Sequence, residues 1–270
     1  MILILLTLLY LPDGGSSTAP QPEPDTLLHT VDSLRATGAY ERAFRLLNGL
    51  DHPTRDTPDV LWRLAHLRIE VAENRPSTQA REEAFRQALN DAEAAVERSP
   101  HNSNAHAARA MAAGKLSKVT SSTQEKIRLS RVMKESVDQA ITYDPRNDVA
   151  YYIRGRWHIE LASLSFMERT IARALYGGVP SASLDQALAD LQRAVQLQDR
   201  IVYRLELARV YAELDQEQRA AQQVQQILTM PAEHPDDPRY KREARELLEK
   251  ITRAGGSSAG HLDDRFGIAL

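Results

Sequence analysis

Apolar residues recur along this chain at intervals of three and four, with polar residues between them. That spacing places the apolar side chains on one face of a helix with 3.6 residues per turn. Leu61, Leu64, Ala65 and Arg68 begin one such face, with Trp62 beside it. Leu184, Leu188, Leu191 and Val195 form a second, and Ile201, Leu205, Ala208 and Ala212 a third. No stretch alternates apolar and polar residues over a convincing length between turn signals, so the pattern predicts an all-α chain. Helix starts are marked as well. Ser122-x-x-Glu125 and Ser183-x-x-Gln186 read as capping boxes. Thr57-Pro58 and Asp237-Pro238 read as an N-cap residue before a proline at the first helical position.

The helices carry a recurring motif. A small or apolar residue is followed by an alanine and then a proline at fixed offsets: Ala88, Ala95, Pro100, and again Met133, Ala140, Pro145. Ala187, Ala194 and Asp199 repeat the spacing with Asp in place of Pro, and Ala220, Ile227 and Pro231 are one residue tighter. An earlier unit runs through Gly38, Tyr40, Ala43, Leu47, Leu50 and Pro53. The segments Pro100 to Ala110 and Pro145 to Gly155 are one segment used twice. A generic bundle supplies amphipathic helices but no reason for small residues and proline at constant spacing.

This order resembles the second helix and closing turn of a tetratricopeptide (TPR) unit, in which small residues let antiparallel helices approach and proline ends the pair. Leu207-Ala208-x-x-Tyr211 is similar to the first-helix element of such units, and Ala110 and Gly155 take its small position. The resemblance implies a TPR-like α-solenoid of about five antiparallel helix pairs, near 25–51, 58–99, 103–144, 147–198 and 200–230. A capping helix near 237–252 would follow, its charged face outward. Pro100 to Pro145 spans 45 residues and Pro145 to Asp199 spans 54. Both exceed the usual period of about 34, and the extra residues are expected between the helices of a pair.

The longer units resemble a particular family. Val60-Leu-Trp-Arg-Leu-Ala65, Lys126-Ile127, Lys134-Glu135, Ala140-Ile141 and Gly155-x-Trp157 occur in the order found in the regulator of microtubule dynamics proteins. Arg169-x-Ile171-Ala172-x-x-Leu175 with Pro180, then Ala187-Leu188 and Arg193-Ala194, continue the likeness, which covers about 58–250. It implies a helical TPR-like protein and an association with microtubules. For one branch it also implies membrane contacts and lipid handling.

Net charge is −3, from 34 Lys+Arg against 37 Asp+Glu, so no global electrostatic case exists for nucleic acid. The chain has no cysteine, which removes disulfides, thiolate chemistry and Cys-ligated zinc. Residues 1–11 form an apolar run too short for a membrane span of roughly 20 residues. Their length suits the core of a secretory leader, and a Pro/Ser-rich linker follows to residue 24. Export is therefore expected over a cytoplasmic location, with the folded domain at 25–252 and a flexible Gly/Ser-rich tail at 253–270.

Catalytic signals are weak. His158-x-Glu160 places two groups on different faces of a helix, which suits ordinary surface residues better than a metal pair. His101 and His106 lack a carboxylate cluster. Asp144-Pro-Arg-Asn-Asp148 lacks the Gly and Glu of a calcium loop and reads as an inter-repeat turn. Gly177-Gly178 is not a phosphate loop. We therefore expect a non-enzymatic scaffold with no cofactor or metal, and Trp62 and Trp157 in the core. Counted from Ala110, Gly155 and Ala208, the concave-face candidates are Met111, Lys115, Tyr152, Arg156, Glu160, Arg209 and Glu213, with Arg63 as the equivalent in the second pair. Arg169 and Arg173 would extend a basic rim. Mixed charge with Tyr and Met suits a protein or peptide partner. Lipid or hydrophobic-ligand binding is the alternative that the family branch implies.

Overall fold

The computed structural model describes residues 24–165 and 182–258, together with Thr170 and Ala174. The expected leader and linker at 1–23, most of the inserted segment with Arg169 and Arg173, and residues 259–270 lie outside the described residues. The described elements are helical, in the order α1 (Pro24–Ala36), α2 (Tyr40–Asn48), a one-turn α3 (His52–Arg55), α4 (Pro58–Glu73), α5 (Thr78–Arg98), α6 (Ser103–Val119) and α7 (Thr123–Tyr143). α8 (Asp148–Ala162), α9 (Leu184–Leu197), α10 (Ile201–Glu213), α11 (Glu217–Thr229) and α12 (Asp237–Ser258) follow. Among the described residues there is no strand, and no helix is long and apolar enough to cross a membrane. The five antiparallel pairs and terminal helix form a TPR-like α-solenoid.

Side-chain caps fix five of the helix starts. Ser77, Asn102, Ser122, Asn147 and Ser183 each accept from the backbone N–H three residues on, at 3.0–3.3 Å. Such a cap satisfies one of the N–H groups that a helix start leaves free, worth about 1 kcal/mol. Only half of each expected capping box forms. Glu125 turns to Arg128 at 2.8 Å instead of back to its cap, and Gln186 accepts from the Ser183 hydroxyl at 3.4 Å. Thr57 spends its hydroxyl on Thr54 O, so Pro58 alone marks that start. Asp237 accepts from Glu233 N–H and His234 N–H, at 2.9 and 2.8 Å. Its carboxylate fastens the preceding turn and not the helix.

The two long units gain their length differently. α6 and α7 are separated only by residues 120–122, and the extra residues lie inside these helices, which have 17 and 21 residues. In the fourth pair the extra residues do fall between α8 and α9. α12 continues to Ser258, so residues 253–258, expected in the tail, are helical.

Packing follows the small residues. Ala88, Ala95, Ala110, Ala140, Ala187, Ala194, Ala208 and Ala220 are fully buried. At Gly155 the α8–α9 crossing is so close that a Cβ would lie 2.9 Å from Leu191 Cγ. At Gly114 a Cβ would lie 3.2 Å from Met133 Sδ, across α6–α7. The large side chains fill the spaces these crossings leave. Trp157, Leu116, Leu129, Leu191 and Leu205 are buried, each worth about 1.5–3 kcal/mol or more relative to exposure. Trp157 donates its indole N–H to Ser130, and Trp62 donates to Asp59 at 3.2 Å. Buried apolar residues from α1 to α12 gather in clusters, and neighbouring clusters share a helix: α4, α8 or α10.

The solenoid curls until its ends meet. Gly38, in the α1–α2 turn at φ +80°, lies against Pro235 in the turn before α12. A Cβ there would come within 2.6 Å of Pro235 Cγ, so both the backbone and the contact require glycine.

His66 on α4 is buried with its Nε2 unpartnered, and it meets Trp62 edge-on at 5.7 Å. Burial, then Arg35 and Arg63, push its pKa down to about 3. Burial also lowers His158 and His234.

The glycine crossings and the buried imidazole can each be probed by substitution. Gly to Ala inside a helix gains about 1 kcal/mol of propensity, whereas overpacking costs about 1–3 kcal/mol. Gly155→Ala is expected to lower stability by about 1–2 kcal/mol in urea unfolding, because Leu191 has nowhere to go. Gly114→Ala should be neutral or gain up to about 1 kcal/mol, because the tip of Met133 can turn; the reverse ranking would contradict these crossings. Between pH 6.5 and about 3 the unfolded chain holds a proton on His66 that the folded chain lacks. Stability must therefore fall with falling pH across that window, by up to about 1.4 kcal/mol per unit from this residue. Glu70 and Asp91, both raised by burial, act in the opposite sense near the carboxylate range. His66→Gln should flatten the loss of urea midpoint between about pH 7 and about pH 5; an unchanged slope would show that His66 is not buried neutral.

Candidate functional site

One face of α4, α6 and α8 and the start of α10 turns inward onto a cavity of about 330 Å³. Arg35 of α1, Asp236 and Tyr240 complete its wall on the side of the Gly38–Pro235 contact. The lining mixes apolar surface from Trp62, Met111, Tyr152 and Tyr203 with nine charged side chains among the described residues. Tyr152 and Tyr203 stack at 4.7 Å between ring centroids and 28° between planes, which gives the wall a flat aromatic floor.

Most of the charges are already matched. Lys115 pairs with Glu73, Lys118 with Glu160 at 2.8 Å, and Arg156 with Glu206 at 3.1 Å and Glu160 at 3.7 Å. Burial works against the Arg156 charge, but Glu206, Tyr152 and Glu160 outweigh it and hold its pKa above the usual guanidinium value. Burial lowers Lys115, with Glu70 opposing, and raises Glu70, with Lys115 and Arg35 opposing. The Glu70 carboxyl has no hydrogen-bond partner among the described residues. Burial also raises Tyr152 and Tyr203; the hydroxyl of Tyr203 donates to Asp148 at 2.7 Å.

Of the residues singled out from the sequence, Met111, Lys115, Tyr152, Arg156 and Glu160 line this cavity. Arg63, Arg209 and Glu213 do not. Arg63 grips Asp32 of α1 at 2.8 Å and lies over the Trp62 ring at 4.1 Å. Arg209 bonds Glu206 and Glu243, both at 2.7 Å, because α12 lies across that part of α10. The charged side of α12 therefore turns partly inward, where an outward face was expected. Glu213 is exposed beyond the covered stretch.

The misplacement of Arg63 has a simple cause. Asn102 to Ala110, Asn147 to Gly155 and Arg200 to Ala208 are each eight residues from N-cap to small residue. The same count from Thr57 reaches Ala65, so the equivalents of Met111 and Lys115 on α4 are His66 and Glu70. Both line the cavity. Arg200, at the start of α10, was also missed, as were Arg35, Asp236 and Tyr240, which enter because the solenoid closes on itself.

The other candidates resolve as structure. His158 faces Asp190 at 3.8 Å, while Glu160 faces the cavity, so the two diverge as their spacing requires. His106 Nε2 lies 2.8 Å from Pro100 O, and Tyr143 sits between His101 and His106. Asp144 accepts from Arg146 N–H in the inter-repeat turn, and Asn147 caps α8. Among the described residues no group of three or more His, Asp or Glu could hold a metal ion.

Comparison with known proteins agrees with this architecture. The family model described as regulator of microtubule dynamics protein 1-3 matches residues 27–252. Regulator of microtubule dynamics protein 2 of Macaca fascicularis is 28% identical over 235 residues, covering 85% of this chain and 56% of that protein. Protein 3 of Bos taurus is 28% identical over 242 residues, covering 87% and 50%. Protein 1 of Caenorhabditis elegans is 32% identical over 129 residues, covering 47% and 57%. The chain spans about half the length of the curated relatives it matches. A crystal structure of a thermophilic TPR protein from Thermus thermophilus superposes with a TM-score of 0.62 at 19% identity, over 84% of this chain and 100% of that one, and so shares the fold. With the match covering nearly all of the described solenoid, the chain belongs to the regulator of microtubule dynamics protein 1-3 family.

Proposed function

We propose that this protein is a non-enzymatic interaction module that holds a polypeptide segment of a partner in the cavity enclosed by its first helices. The carrying observation is the chemistry of that wall. Met111, Trp62 and stacked Tyr152 and Tyr203 offer apolar anchoring area, and Lys115, Lys118, Arg156, Glu70 and Glu160 offer polar contacts of both signs. A segment that brings its own backbone amides and one or two side chains suits such a mixed surface. The TPR-like fold supports a scaffold role.

The lipid alternative asks for a closed apolar tunnel, and nine charged side chains on the wall do not supply one. Export is a separate proposal that rests on the apolar run at 1–11. Amino-terminal sequencing of native protein tests it. A start near Pro20 is expected, and an intact Met1 in a cytoplasmic fraction would contradict it.

The interaction reading is tested by placing a photo-crosslinking amino acid at Met111, inside the cavity, and at exposed Arg128 as a control. Met111 should capture a defined polypeptide and Arg128 should not. Lys115→Ala with Lys118→Ala should reduce that capture about tenfold while leaving stability within about 0.5 kcal/mol, since both ion pairs are partly exposed. Capture only from Arg128, or a stoichiometric lipid found by mass spectrometry of gently purified protein, would overturn the reading.

A further inference from the structure

Among the described residues five cationic side chains line the cavity, and three already have carboxylates: Lys115 with Glu73, Lys118 with Glu160 and Arg156 with Glu206. The other two, Arg35 and Arg200, have no carboxylate of the described residues within ion-pairing distance. They come from the first and the fifth helix pairs. Arg35 is in α1, three residues before Gly38, and Arg200 is the N-cap residue of α10. Both act electrostatically on the same three side chains, Tyr40, Glu70 and His234. Both line the cavity, Arg35 beside the turn that carries Gly38 and Arg200 at the start of the helix that α12 packs against, so they flank the seam where Gly38 touches Pro235. Arg200 lies over the Tyr203 ring at 5.2 Å and donates to its hydroxyl at 3.2 Å, while its Nε is buried with no acceptor. A buried N–H left unpaired costs about 1–3 kcal/mol, so the group is set for an acceptor that the described residues do not provide.

We propose that the seam is a carboxylate-binding site, in which an acidic side chain or chain terminus of the bound polypeptide is held between Arg35 and Arg200 and ties the first helix pair to the turn before α12. This rests on the reading of the cavity as a polypeptide site. A planar carboxylate accepts two parallel N–H bonds from a guanidinium fork, a match that a point cation does not offer. Because the two arginines sit on opposite sides of the seam, the carboxylate binds the closed ring better than an opened one, and binding and closure favour each other. Among the described residues four carboxylates line the same cavity, of which Glu73 and Glu160 are held by Lys115 and Lys118, and Asp148 and Asp237 also act on Arg200 from outside the lining. Asp236 is engaged by Arg239 at 3.5 Å. Glu70 is unpartnered among the described residues and repels an incoming carboxylate, so it weakens the site. The sign of its effect separates an anionic ligand from a cationic one, for which Glu70 would be the anchor.

The test is a titration of the full chain, labelled with nitrogen-15, with doubly blocked glutamate. The glutamine analogue and inorganic phosphate serve as controls. The side-chain Nε–H signals of Arg35 and Arg200 should shift together with the glutamate compound and stay put with glutamine. Affinity should fall at least about tenfold in Arg35→Gln and in Arg200→Gln, and rise several-fold in Glu70→Gln. Amide spectra report whether each variant is folded. If Arg200→Gln unfolds through loss of its bond to Tyr203, Arg35→Gln carries the test. Silent arginines, or weaker binding in Glu70→Gln, would overturn the proposal, and an equal response to phosphate would overturn the carboxylate assignment. Capture of a polypeptide from Met111 alongside silent arginines removes this site alone; failure of both removes the polypeptide reading with it.

Discussion

Two helices can approach only as closely as the side chains at their crossing allow, and in this protein the crossings are lined with alanine and glycine. Leu191 sits against the bare backbone of Gly155, and Ala187 and Ala194 hold the same face of α9 close to α8. Each such crossing brings a first helix against its partner and leaves the opposite face of that helix without a neighbour. Stacking five pairs then collects these faces into one wall, and the wall's curvature sets where the chain ends arrive. Larger residues at the crossings would widen the pairs and change that curvature.

The inward wall departs from what a core would be. A buried stripe on α8 would ordinarily be apolar, yet Tyr152, Arg156 and Glu160 follow one another on it. Keeping such groups inside a curled solenoid costs desolvation, seen in the raised pKa of Glu70 and the lowered pKa of Lys115. The structure offsets that cost by pairing across helices: α6 to α4 through Lys115 and Glu73, α6 to α8 through Lys118 and Glu160, and α8 to α10 through Arg156 and Glu206. The pairs run along the wall from one unit to the next. Being partly exposed, they neutralise charge along the wall more than they stabilise the stack.

Much of this was legible in the sequence, for a physical reason. Small residues and prolines sit at fixed offsets because crossings and turns recur, and both requirements are local. Met111, Lys115, Tyr152, Arg156 and Glu160 followed from counting along helices from the small residues Ala110 and Gly155. Arg63 went astray because the second pair was not aligned on Ala65, and the eight-residue spacing from Thr57 leads to His66 and Glu70 instead. Arg209 was hidden by a different effect: α12 folds back over α10, and periodicity says nothing about which face a terminal helix will cover. The seam was illegible altogether. Gly38 was read only as part of a repeat unit, and its contact with Pro235 depends on the summed rotation of every unit between them.

Everything proposed for the cavity depends on that summed rotation, because Arg35, Asp236 and Tyr240 share its wall only if the two ends meet. Nuclear Overhauser contacts between the α protons of Gly38 and the ring protons of Pro235 measure it directly. A strong contact is expected in the folded, ligand-free chain. Assigned, sharp signals for both residues with no contact between them would show an open superhelix and contradict the closed ring.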